Sequence, residues 1–256
     1  MIAPVQNPWL VTYRANRRSR LKLICFPHAG SSASAYGAWP ENLPPEIDVC
    51  AVEYPGRGSR RAETPHVSIQ SLVTALVPHI SQELSNPFAV FGHSMGAFIA
   101  FEFLRRLQFR SGQRPAVFIA GACRPPSLPP SKPPIHSLPE TEFLRELRAL
   151  NGTPESILSD PNFMRLFLPT LRADLQAAET YAYRAGPKLK CAISVYGGHD
   201  DPEIDADSLE LWGRETDGTF QRHLFAGDHF FFQTAERAVM ERLQLDLLER
   251  INQPSA

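Results

Sequence analysis

One stretch constrains this chain more than any other: Phe88-Ala-Val-Phe91, then Gly92-His-Ser-Met-Gly96, then Ala97-Phe-Ile-Ala-Phe-Glu-Phe-Leu104. A short apolar run without strict polar alternation suits a buried strand, and apolar spacing across Met95–Gln108 suits a helix. A chain passing from strand to helix in so few residues turns sharply, which forces the central residue into a strained backbone conformation. Gly92 and Gly96 lack the side chains that would clash in such a turn. Ser94 then presents its hydroxyl at the C-terminal edge of a sheet, where folds of this kind bind ligands. A glycine-rich turn whose serine merely caps the next helix is the plainer reading. The strand before and the helix after favour a nucleophile.

The rest of the chain supports that setting. Further short apolar runs lie at Leu21–Phe26, Ile47–Glu53, Ala116–Ala120, Lys190–Tyr196 and Thr219–Phe225, most ending at glycine. Helical spacing recurs over Ser68–Leu84 and Ala235–Ile251. The pattern predicts an α/β fold with a mostly parallel, doubly wound sheet. One region departs from it. Arg124–Pro139 holds seven prolines, which sustain neither helix interior nor central strand. Only helical signals follow: Ser137-Leu-Pro-Glu140 with the spacing of a capping box, a start at Asp160-Pro161, and a third stretch over Leu168–Tyr183. Residues 127–186 therefore read as a helical lid insertion, with residues 1–126 and 187–256 forming the two parts of the core. A helical subdomain that only adds stability would look alike.

Composition removes other classes. Lys plus Arg total 26 against 27 Asp plus Glu, so no broad basic field exists to hold nucleic acid. Cys25, Cys50, Cys123 and Cys191 are dispersed, and three of them sit in apolar runs, as expected of small buried hydrophobes in a reducing compartment. Arg17 and Arg18 follow the only apolar patch near the start, the wrong order for a secretory leader. No apolar run is long enough to span a membrane. A cytoplasmic protein is expected.

Serine needs a base, and on such a sheet the chain order is serine, acid, histidine. His199, His223 and His229 follow the insertion. His223 lies within a strand, and His199 lies on the turn where the acid belongs. His229 follows the last strand behind Gly227-Asp228, where a base can reach Ser94. The acid comes from Asp200-Asp201-Pro202. Spacing does not separate the two aspartates, although a residue before proline is held extended, which leans toward Asp201. Contiguous His199, Asp200 and Asp201 rarely point at one ion, so no metal or other cofactor is expected. The oxyanion of an acyl-transfer intermediate needs two N–H donors: Met95, next to the nucleophile, and Ala29 in the loop Pro27-His-Ala-Gly-Ser-Ser32.

With these motifs in place the chain resembles the type II thioesterases that accompany polyketide and nonribosomal peptide synthetases. The likeness is carried by Phe26-Pro-His-Ala-Gly30, Tyr54-Pro-Gly-Arg-Gly58, Gly92-His-Ser-Met-Gly96, Gly198-His-Asp-Asp-Pro202 and Gly227-Asp-His-Phe230. The resemblance implies an α/β-hydrolase that clears acyl groups from the phosphopantetheine arm of an acyl- or peptidyl-carrier protein. It also implies Asp201 as the acid. Apart from the resemblance, a monomer is expected. His199 stands where the family often has an acidic residue, and Tyr54 where leucine is frequent. Medium-chain acyl thioesterases share most of the pattern, a carboxylesterase would use the same triad, and an inactive scaffold docking to a synthetase is the non-enzymatic alternative. The Tyr54–Gly58 loop carries no derivable chemistry: it shapes an entrance, with Arg57 near pantetheine or carrier, or is a structural turn.

Overall fold

The computed structural model describes residues 7–13, 19–84, 87–153 and 155–252; Arg17 and Arg18 lie outside them. Strands form at β1 (Leu10–Thr12), β2 (Leu21–Phe26), β3 (Ile47–Val52), β4 (Phe88–His93), β5 (Val117–Gly121), β6 (Ala192–Gly198) and β7 (Phe220–Phe225). They make one seven-stranded sheet in the order β1-β3-β2-β4-β5-β6-β7. Every neighbouring pair is parallel except β1 and β3. The antiparallel β1 is the one strand that periodicity does not predict. Three residues are too few to show a period, and the strand exists because it covers the open edge of β3.

Helices α1 (Trp39–Asn42), α2 (Ile69–Ser81) and α3 (Met95–Ser111) precede the insertion. Helices α4 (Glu140–Leu150), α5 (Glu155–Leu158) and α6 (Pro161–Glu179) lie between β5 and β6, and α7 (Phe231–Thr234) and α8 (Glu236–Asn252) close the chain. The strands β2 to β6 are almost wholly buried, because both faces are covered. On one face Ile24, Val90 and Phe118 pack with Leu76 of α2 and Phe103 of α3. On the other Leu23, Ala89 and Ile119 pack with Trp39 of α1 and Leu243 of α8. A third apolar cluster, Phe143, Leu147, Leu158, Met164, Leu168 and Leu171, belongs to the α4–α6 segment.

Two local expectations for that segment change. Asp160 caps α6 as anticipated, accepting from the N–H groups of Asn162 (2.9 Å) and Phe163 (3.2 Å), with Pro161 at the first helical position. The stretch beginning near Leu168 is not a separate helix but the continuation of this 19-residue one. The capping box does not form: α4 begins at Glu140 behind Pro139, with no side-chain cap. A helix capped by Ser137 would need Leu138 in helical conformation immediately before Pro139, which the proline ring disfavours.

Candidate active site

The strand-to-helix turn has the strained geometry its letters require. Ser94 sits at φ 53° and ψ −119°, between the end of β4 and the start of α3. Its N–H donates to the Gly121 carbonyl of β5 at 2.8 Å, which locks the turn against the sheet. A Cβ on Gly92 would lie 2.5 Å from the Gly96 carbonyl oxygen, and one on Gly96 only 2.0 Å from that of Phe26. Both obstacles are backbone, so neither can swing away. Gly96→Ala is therefore expected to cost about 3 kcal/mol, at the upper end for overpacking. Thermal unfolding should show it as a Tm lower by roughly 10 °C; an unchanged Tm would disprove this reading of the turn.

His229 lies on the loop between β7 and α7 and bridges to the serine. Its Nε2 is 3.0 Å from Ser94 Oγ, and its Nδ1 is 2.9 Å from Asp201 Oδ2. The Asp201 side chain is 1% exposed, and its Oδ1 accepts from the N–H groups of Glu203 (2.8 Å) and Ile204 (3.2 Å). These backbone bonds hold the carboxylate toward the imidazole and stabilise its charge. Asp200 is exposed and meets the neighbouring loop only through its backbone, N–H to the Gly227 carbonyl at 3.0 Å. Of the two aspartates that spacing leaves open, Asp201 is the one whose side chain meets His229. His199, like Asp200, is exposed.

Two more imidazoles crowd the centre. His93, the residue before the serine, is buried, and its ring centroid lies 5.5 Å from that of His229 and 5.4 Å from that of His28. Burial pushes His93 well below its ordinary pKa, with the neighbouring histidines adding. Burial likewise pushes His28 down to about 4, helped by His229 and Arg57.

A cavity of about 360 Å³ opens beside Ser94 and His229, and Ala29 and Met95 also line it. Much of its wall comes from the insertion, with Leu147 and Leu150 of α4 and Leu171 and Leu175 of α6. Phe163 and Leu166, bulky residues of the same helix, instead face solvent, Leu166 being 81% exposed. The insertion also grips the histidine loop: Asn151 Nδ2 donates to Asp228 at 3.1 Å, and Gly152 packs so closely on Phe230 that a Cβ would come within 2.2 Å of its ring.

Arg57 departs from a place at the entrance. It is buried, forming a two-pronged ion pair with Asp174 of α6, at 2.5 Å and 2.7 Å. Gly56 (φ 88°) and Gly58 (φ 50°) take left-handed conformations on either side, so the Tyr54–Gly58 loop is a structural turn that directs the guanidinium inward.

A mostly parallel sheet carrying a strained serine at the β4–α3 turn, and a histidine behind its last strand, defines the α/β-hydrolase fold. The Thioesterase domain family model matches residues 21–247, and the chain belongs to this family. The chain is 37% identical over 235 residues to gramicidin S biosynthesis protein GrsT of Aneurinibacillus migulanus, covering 92% of each chain. To thioesterase PikA5 of Streptomyces venezuelae it is 37% identical over 251 residues, 97% of this chain and 88% of that one. Among solved structures, the type II thioesterase BorB from the borrelidin biosynthetic cluster matches with a TM-score of 0.86 and 40% identity, over 94% of this chain and 98% of that one. Among the described residues no helix is long and apolar enough to cross a membrane.

Proposed function

We propose that the protein is an editing thioesterase, which hydrolyses acyl thioesters on the phosphopantetheine arm of an acyl- or peptidyl-carrier protein through an acyl-enzyme on Ser94. The observation that carries this reading is the continuous hydrogen-bonded run Ser94–His229–Asp201 beside a cavity with apolar walls. The kinship to proteins named for such biosynthetic pathways supplies the substrate class. Ser94 Oγ attacks the thioester carbonyl while His229 Nε2 takes its proton, and Asp201 holds the imidazole in the tautomer that leaves Nε2 free. The N–H groups of Ala29 and Met95 receive the oxyanion. Collapse breaks the C–S bond, and the pantetheine thiol leaves with the proton from His229. Water, activated by the same imidazole, then releases the carboxylic acid and restores the serine.

Residues 127–186 act as a lid in this scheme, walling the acyl chamber with α4 and α6. All the groups invoked come from one chain, so a monomer suffices, and the free, buried cysteines suit the reducing cytoplasm. The test pairs two measurements. A fluorophosphonate probe should label the protein stoichiometrically, with the modified peptide containing Ser94; no labelling would favour an inactive scaffold. Hydrolysis of an acyl-carrier thioester should exceed that of the matched oxygen ester, and the reverse order would reassign the protein as a carboxylesterase. Free medium-chain acyl thioesters turned over faster than carrier-bound ones would point to a fatty acyl thioesterase.

A further inference from the structure

We infer that the buried Arg57–Asp174 pair is a positioning device that fixes the Ala29 amide for the oxyanion, so that a correctly built oxyanion site depends on helix α6 being seated. The inference rests on the triad reading above. Both side chains are almost fully buried, at 7% and 3% exposure. A buried ion pair is weak as a stabiliser, since apolar residues of similar volume often do as well or better. Its partners here suggest another use.

Asp174 Oδ2 accepts not only from Arg57 but from the N–H of Gly30, at 2.7 Å. Arg57 Nη1 donates in turn to the Ser31 carbonyl at 3.1 Å. The pair therefore holds a donor and an acceptor of the same short turn, just after Ala29. On the other side of Ala29, the Tyr54 hydroxyl donates to the Pro27 carbonyl at 3.3 Å. The Ala29 amide is thus bracketed by anchored backbone on both sides, held by Tyr54 and Arg57 of the Tyr54-Pro-Gly-Arg-Gly58 turn and by Asp174 of α6.

Helix α6 completes the clamp. Phe167, Thr170, Leu171 and Asp174 share one helical face, which packs on both loops. Thr170 Oγ1 donates to the Gly56 carbonyl at 2.9 Å, while Leu171 and Phe167 each come within 2.9 Å of where a Cβ on Gly30 would stand. Gly30 is also left-handed, at φ 74°. If α6 lifted away, Gly30 would lose its acceptor, and Arg57 would be left buried without its counter-charge.

The decisive variant is the double substitution Arg57→Met with Asp174→Leu, which keeps an apolar filling and should fold. Removing the clamp should lower kcat about 100-fold, the scale set by losing one oxyanion donor, while KM changes less than about threefold. Binding of an alkyl boronic acid, which forms a tetrahedral adduct at the serine, should weaken by a similar factor. A folded double variant with wild-type kcat and boronate affinity would overturn the inference and leave the pair a purely structural element. If that protein does not fold, Asp174→Asn decides by the same readouts, because it keeps the shape and removes the charge. Wild-type enzyme that fails to label at Ser94 would instead overturn the triad reading, before any clamp variant is measured.

Discussion

Ser94→Ala is expected to reduce kcat on acyl-carrier thioesters by about 10⁵- to 10⁶-fold, and His229→Ala by nearly as much, because the two act as one unit. Asp201→Asn should cost about 10³- to 10⁴-fold with KM little changed. Asparagine can offer an N–H to Nδ1, which favours the tautomer that places a proton on Nε2, where the Ser94 proton must go. The effect should sit at the lower end of that range, since a thiol leaves more readily than an amine and asks less of the protonated imidazole. Asp200→Asn is the internal control. Its side chain is exposed and away from His229, so kcat should stay within about twofold of wild type, as for most surface substitutions. Steady-state kinetics on the four purified variants measures this series. Equal losses at positions 200 and 201 would break the assignment of the acid.

Why one aspartate rather than its neighbour could not be settled from letters is itself physical. On a strand, alternate residues face opposite sides, but β6 ends at Gly198 and the chain beyond it is irregular. Side-chain direction there is set by the pairing of the two loops, through His199 N–H to the Phe225 carbonyl at 2.9 Å and Asp200 N–H to the Gly227 carbonyl at 3.0 Å. Family resemblance pointed to Asp201 without that geometry. Ser94 and His229 were legible because each is tied to a regular element, one leaving β4 and the other following β7. The core strands and the helices on both faces were legible for the same reason: local periodicity.

What escaped was long-range. Asp174 is 117 residues from Arg57 in the chain, and no local pattern joins them. Its one sequence signal was register, since it falls on the stripe of Phe167 and Leu171, where an acid is out of place unless paired. His93 was hidden in plain view inside the serine motif. Nothing in the spacing says that its ring turns into the interior toward His28.

That histidine cluster should make the fold acid-sensitive well above the range where carboxylates titrate. Burial keeps His28 and His93 neutral in the folded protein, His28 down to about 4 and His93 well below its ordinary value. The unfolded chain titrates near 6.5 at both positions. Above about 6.5 both states are unprotonated, and the folded protein keeps its full stability. As pH falls from there toward 4, the unfolded chain binds protons that the folded one refuses, so stability declines. The His28 shift alone is worth about 3 kcal/mol by pH 4, with His93 adding to it, against a typical total of about 5–15 kcal/mol. Among the described residues no hydrogen bond of good geometry reaches either ring nitrogen of His93, and the His229 backbone, the one group that favours the imidazolium, is outweighed by burial and by the neighbouring histidines. Urea unfolding at pH 7.5 and pH 4.5 should therefore give clearly different midpoints, with His28→Gln narrowing the gap by removing one of the two groups. Identical midpoints at the two pH values would mean that the histidines take up protons in the folded state, and that the cluster is more open to solvent than its burial indicates.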